Sequence, residues 1–177
     1  MSHIIAVSGK SGCGNSTVSR LLAERLGIRL INYTLRNMAV DRGIAFEHLL
    51  ELASTDEGFD RELDAKQIEL AHAADCVIGS RLSMWLLPDA ALKVYLWASP
   101  EIRAERIQKR EGGELSHVLT FTKTRDDRDH DRYLRLYGID NDDSSCADIT
   151  INTERFSPSK IASIIVSAAL AEASRAT

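Results

Sequence analysis

The sequence predicts an α/β fold of three layers, a five-stranded parallel sheet with helices on both faces, and three observations carry that prediction. Short β-branched runs alternate with longer amphipathic stretches along the 177 residues. The first run, "HIIAVS", ends at a glycine cluster and passes directly into a helical pattern. Parallel strands need crossover connections, and the stretches between the apolar runs are long enough to supply them as helices. With 44% hydrophobic and 27% charged residues the chain can bury one substantial core, so residues 1–177 are read as a single domain.

Each element has its own local reason. "HIIAVS" reads as a buried central strand because it is apolar on both faces. In "STVSRLLAERLG", Val18, Leu21, Leu22 and Leu26 share one helical face, and Gly27 is suited to the left-handed residue that ends a helix. "IRLIN", residues 28–32, is the second strand. The stretches "TLRNMAVDRG", "AFEHLLELAS" and "DRELDAKQIELAHAA" carry mixed charge at i, i+4 spacings, which predicts a helical insertion over about residues 33–74 that covers a cleft. "DCVIGS" and "ALKVYLWAS" are the third and fourth strands, the latter turning Leu92, Val94 and Leu96 inward. Ser99 caps a helix whose first turn takes Pro100, "EGG" breaks it, and a charged helix runs on to about Tyr137. "DITIN" is the last strand, and "SPSKIASIIVSAALAEA" closes the chain as a helix begun by Ser157 and Pro158.

A net charge of −4 argues against a protein that coats nucleic acid or an anionic membrane through its overall field, so neither partner is expected. The apolar run at the N-terminus is too short for a signal peptide or a membrane span. Cys13, Cys76 and Cys146 lack the paired spacing of a metal site or a disulfide framework, which predicts three free thiols and a cytoplasmic protein. Sixteen arginines against six lysines point to planar recognition of phosphate or carboxylate at a local site.

That local site is signalled by "GKSGCGNST", residues 9–17. Gly9-x-x-x-x-Gly14 followed by Ser16 is the spacing of a phosphate-binding loop, yet Asn15 stands where such a loop carries its lysine. Glycines let successive amides point into one concavity, and the following helix adds its positive end. Gly9, Lys10, Ser11, Gly12, Cys13, Gly14, Asn15, Ser16 and Thr17 are therefore the candidate nucleotide-binding set. Ser16 or Thr17 offers a hydroxyl to Mg²⁺, and Ser16 is the candidate metal ligand. Losing one preorganised donor commonly costs about 10²- to 10³-fold in rate, and Lys10 is the candidate replacement cation. Cys13 has two readings, a small filler or a thiol of lowered pKa at a helix start.

Several stretches in order, "SGKSGCGNSTVSRLLAERLG", "CVIGSR", "PDAALKVYLWASPEIRAERIQKRE" and "TRDDRDHDRY", resemble the cytidylate kinase family of nucleoside monophosphate kinases over nearly the full chain. The resemblance implies a P-loop NTPase core, an NMP-binding insertion and a short lid, with residues of about 103–135 forming the lid and an acceptor-binding helix. It implies transfer of the terminal phosphoryl group of ATP to CMP or dCMP with Mg²⁺. Carried over by position, Arg36, Arg81, Arg125, Asp129 and Arg132 surround the acceptor nucleotide. Arg103, Arg106 and Arg110 flank the lid, and Lys10, Arg103, Arg106 and Arg125 are the candidate catalytic cations. Arg125, Arg128, Asp129 and Arg132 also share one face of a helix by their spacing.

Three features depart from the family pattern: Asn15 in the loop, Gly79-Ser80 where an acidic residue commonly ends the third strand, and a short lid between Arg110 and Arg125. Trp85 and Tyr95 read as core or cleft wall, and His72, His117 and His130 as surface or packing residues, so no structural metal is expected. An anionic acceptor oxygen needs no Ser/His/Asp relay. The other readings left open are a kinase for another small acceptor and a nucleotide-binding module without turnover. The expected assembly is a monomer or weak dimer.

Overall fold

The computed structural model describes residues 3–173. Five strands, β1 (Ile4–Ser8), β2 (Arg29–Ile31), β3 (Cys76–Gly79), β4 (Leu92–Trp97) and β5 (Ile149–Asn152), form one sheet in the order β2-β3-β1-β4-β5. Every pairing is parallel. The first strand is thus central, flanked by β3 and β4, and all five of its residues are buried. Strand order reverses beside β1, and in such sheets the crevice beyond the carboxyl ends at that reversal holds ligands.

Eight helices lie among the described residues: α1 (Asn15–Leu26), α2 (Leu35–Arg42), α3 (Phe46–Thr55), α4 (Gly58–His72), α5 (Ser83–Leu86), α6 (Pro100–Glu111), α7 (Leu115–Tyr137) and α8 (Pro158–Ala173). Alternation along the strands sorts the core. Ile5, Val7, Leu92, Val94 and Leu96 face α1 and α8, where Val18, Leu22, Ile161 and Ile165 complete one layer. Ile4, Ala6, Ile78 and Tyr95 face the other way, onto Ala71 of α4 and Met84 of α5. Leu22 is fully buried, so Leu22→Ala would cost about 2–5 kcal/mol.

Helices α2, α3 and the start of α4 have a small core of their own around Met38, Ala39 and Leu49. The end of α4 behaves differently, because Ile68, Leu70 and Ala71 pack on the sheet as the crossover into β3. The small core of the insertion and the crossover onto the sheet are therefore joined through one continuous helix, α4. Ser99 caps α6, accepting from the Ile102 amide at 3.4 Å, with Pro100 in the first turn. Gly112 to Glu114 is all that separates α6 from α7, which pack together along their lengths.

Candidate active site

The glycine loop joins β1 to α1 at the carboxyl edge of the sheet, and its glycines serve distinct purposes. At Gly12 (φ 85°) a Cβ would lie 2.9 Å from Cβ and O of Arg103, so this glycine lets α6 pack against the loop. Gly14 has open space around it but a φ of 97°, which turns the chain into α1. It occupies the N-cap without any side-chain hydrogen bond, and Val18 N to Gly14 O, 3.0 Å, is the first bond of the helix. The first-turn amides are left to a ligand.

A cavity of about 510 Å³ opens in front of these amides. It is lined by the whole of residues 9–18, by Gly79, Ser80 and Arg81 after β3, by Arg106 and Arg110 of α6, and by Thr153, Phe156, Pro158 and Ile161 around the start of α8. Four of these residues are cationic, Lys10, Arg81, Arg106 and Arg110, and none is acidic. Arg106 is held in place by Thr153, donating to its hydroxyl at 2.9 Å and its carbonyl at 2.8 Å, and it also reaches Gly12 O at 3.3 Å. Burial pushes the Cys13 thiol up to about 11, against the pull of the Asn15 amide, Arg103 and Arg106. Cys13 is a neutral filler in the core layer under the loop.

Next to this cavity lies a narrow pocket lined by Gly9, Lys10, Arg81, Trp85, Tyr95, Asp126, Asp129 and Asn141. Arg81 donates to Asp129 at 2.6 Å, and the other Asp129 oxygen accepts from Arg132 at 3.0 Å. Arg132 also pairs with Asp60 of α4 at 3.3 Å. Burial raises the Asp60 carboxyl above its usual range, and Arg132 pulls it back. Arg125 is half-buried; burial first, and the neighbouring Arg81 second, lower its guanidinium from its ordinary value. No ion pair among the described residues engages it. Arg125 was expected beside the acceptor, but it lines neither cavity, and Arg81 already has a carboxylate partner in Asp129.

The family model described as the cytidylate kinase-like family matches residues 4–155. This chain belongs to that family. It is 43% identical over 165 residues to "Cytidylate kinase 2" of Borreliella afzelii, covering 91% of this chain and 93% of the relative. It is 38% identical over 167 residues to "Cytidylate kinase" of Pyrococcus horikoshii, covering 93% and 87%. Shikimate kinase from Acinetobacter baumannii, at 17% identity and a TM-score of 0.62 over 97% of this chain and 94% of that one, shares the P-loop kinase fold.

Within this cytidylate kinase-like frame the anticipated residues fall into three groups. Residues 9–17, Arg81 and Arg106 line the main cavity, and Arg81, Asp129 and Lys10 line the narrow one. Lys10 lines both, and its ammonium is ion-paired with Asp142 in the loop between α7 and β5. Arg103 is placed otherwise than the sequence implied. It is 3% exposed and faces inward, paired with Asp126 and donating to Ser11 O at 3.1 Å, so it braces the loop from behind. Arg36 is exposed on α2 and stacks on the Phe46 ring at 4.1 Å, away from both cavity walls. Arg132 acts behind Asp129 and Asp60.

Ser16 and Thr17 present exposed side chains to the main cavity. With no carboxylate on its wall, the donor set fits a Mg²⁺ held chiefly by phosphates and water with one protein hydroxyl. Sequence reasoning missed Asp60, Asp126, Asn141, Thr153 and Phe156. Asp126 was within reach, since it lies in the charged "TRDDRDHDRY" run that drew notice. Thr153 and Phe156 gave no signal, because a short loop before a helix start has no motif of its own.

Proposed function

We propose that the chain transfers the terminal phosphoryl group of ATP to CMP or dCMP, giving ADP and the diphosphate. The observation that carries this reading is the charge layout: an acid-free cavity with four cations in front of a helix start without a side-chain cap, opening beside a second pocket with which it shares Lys10 and Arg81. Membership of the cytidylate kinase-like family supports cytosine as the acceptor base.

In this reading the loop amides hold the donor phosphates and Phe156, 41% exposed on the rim, offers its ring to the donor base. Arg81 and Arg125 take the acceptor phosphate, with Asp129 giving up part of its hold on Arg81. Lys10, on the shared wall, faces the point where donor and acceptor phosphates meet. It leaves Asp142 for the transferring group. Arg106 neutralises charge from the far side and Arg103 keeps the loop in shape. Ser16 or Thr17 would supply the protein hydroxyl for a Mg²⁺ ion, which would neutralise charge on the donor phosphates. The acceptor oxygen is already anionic, so alignment and charge neutralisation carry the rate.

A panel of nucleoside monophosphates in a coupled ADP-release assay tests the proposal. Preference for CMP or dCMP is expected. Indifference to CMP, with turnover on another acceptor, would reject the substrate; ATP binding without any transfer would reject the enzyme. No helix among the described residues is long and apolar enough to cross a membrane, and Cys13, Cys76 and Cys146 are free thiols.

A further inference from the structure

Asn15 is the residue that most sets this loop apart, and its side chain is fully engaged. Its Nδ2 donates to Val7 O and to Ser80 O, each at 3.0 Å, and its Oδ1 accepts from Ser19 Oγ at 3.0 Å. Both carbonyls can only accept, so the nitrogen must face them and the oxygen must face the serine. The side chain is thus spent on the ends of β1 and β3. Val7 O has further donors, the Ser80 amide at 3.2 Å and Ser83 Oγ at 3.0 Å. Ser80 O has no other donor among the described residues.

The segment from Ser80 to Ser83 carries Arg81. Its far end is pinned too, since Ser83 Oγ contacts Ser8 Oγ at 2.9 Å and the Met84 amide donates to Ser8 Oγ at 3.0 Å. Arg81 therefore sits between two anchors, one of them supplied from the donor loop. Gly79 completes the arrangement. A Cβ there would lie 2.7 Å from Asn15 Oδ1 and would also strike Ser19 Oγ, so the third strand ends in glycine because a side chain would evict the amide.

We infer that Asn15 is a positioning residue: it fastens the phosphate-binding loop to the backbone of Arg81, holding the acceptor arginine in register with the donor. This rests on the kinase reading above. Asn15, Ser19 and Gly79 form one unit, and the asparagine is no stand-in for a phosphate-binding lysine.

The test is steady-state kinetics with ATP and CMP on Asn15→Ala, Asn15→Asp, Asn15→Lys, Ser19→Ala, Gly79→Ala and the Asn15→Ala/Ser19→Ala double variant, with thermal melts on each. Asn15→Ala is expected to raise the KM for CMP roughly tenfold, the size of one misaligned ionic hydrogen bond, while the KM for ATP moves less than about threefold. Asn15→Asp should be no better, because a carboxylate cannot donate to Ser80 O. Asn15→Lys should lose activity despite its extra cation. Ser19→Ala should shift the CMP term in the same direction and add nothing to Asn15→Ala.

If the Asn15 variants fail to fold, Ser19→Ala and Gly79→Ala carry the same split between CMP and ATP. The inference is overturned if Asn15→Ala weakens ATP and leaves CMP alone, if it and Ser19→Ala act additively, or if Asn15→Lys turns over faster than the wild type. Wild-type transfer to CMP judges the kinase reading separately. Calorimetric titration of CMP and ATP then reads the same split without turnover, and an unchanged ratio of affinities in Asn15→Ala overturns the positioning role even where transfer fails.

Discussion

Removing the Lys10 ammonium distinguishes a loop that manages without a cation from one that has moved it. Lys10 is 23% exposed and its partner Asp142 is 55% exposed, so the resting ion pair is a surface pair worth about 0–1 kcal/mol. A preorganised donor at a developing charge is worth about 2.7–4 kcal/mol, or 10²- to 10³-fold in rate. The second quantity exceeds the first, so surrendering Asp142 for the transferring phosphoryl group is favourable. Lys10→Ala should therefore lower kcat by about 10²-fold or more in a coupled ADP-release assay at saturating CMP. Asp142→Asn removes the competitor and should tighten ATP binding, by no more than about fivefold, since the pair is worth no more than about 1 kcal/mol. Retention of more than a third of kcat by Lys10→Ala would refute the reasoning, because the neutralising cation would then be another one, Arg81 being the other that lines both cavities.

Gly12→Ala forces a Cβ against Arg103 at φ 85°, and strain plus overlap of about 2–4 kcal/mol should appear in urea unfolding together with weaker ATP binding. The Cys13 thiol, pushed up to about 11 by burial, should resist iodoacetamide at pH 8 in the native protein and react only on unfolding, as peptide mapping would report. Burial raises the Asp64 carboxyl, although the Tyr137 hydroxyl donating at 2.6 Å opposes it. The native state thus holds that proton more tightly than the unfolded chain, so this group's contribution to stability falls as pH rises through its native pKa. Asp64→Asn keeps the acceptor and removes the charge; its Tm should exceed that of the wild type at pH 7, with the gap closing as pH falls below the ordinary aspartate range.

The strands and the donor loop were legible because their signals are local. β-branched runs, a glycine spacing and Ser99-Pro100 each act within a few residues, and the boundaries of β3, α6, α7 and α8 follow from them. What the loop's odd residue does was not legible. Asn15 meets Ser80, 65 positions away, and nothing in "GCGNST" says that its amide turns toward a strand end. Arg103 illustrates the same limit. Its spacing suits a cation facing a ligand, but Asp126 lies on the next helix at the distance that takes that cation inward. Likewise the fate of Arg36 depends on Phe46, which the turn between α2 and α3 brings beneath it.

The two cavities pose opposite electrostatic problems, and their linings answer them differently. In the proposed reading the donor polyphosphate carries the greater charge and meets a wall with no carboxylate, where Lys10, Arg81 and Arg110 are offset by Asp142, Asp129 and Glu111 from outside the cavity. The proposed acceptor phosphate is smaller, and the arginine assigned to it in that reading, Arg81, is already oriented by Asp129, with Arg132 and Asp60 behind. An arginine held by a carboxylate does not have to be collected from water when the substrate arrives, so little reorganisation remains for the binding step. Arg125 makes no ion pair among the described residues; burial and Arg81 lower its guanidinium while Asp129 pulls it back, and in the proposed reading the incoming phosphate adds the anion that offsets Arg81. The phosphate of the acceptor, more than its base, is then what closes this site: CMP should stabilise the fold where cytidine does not.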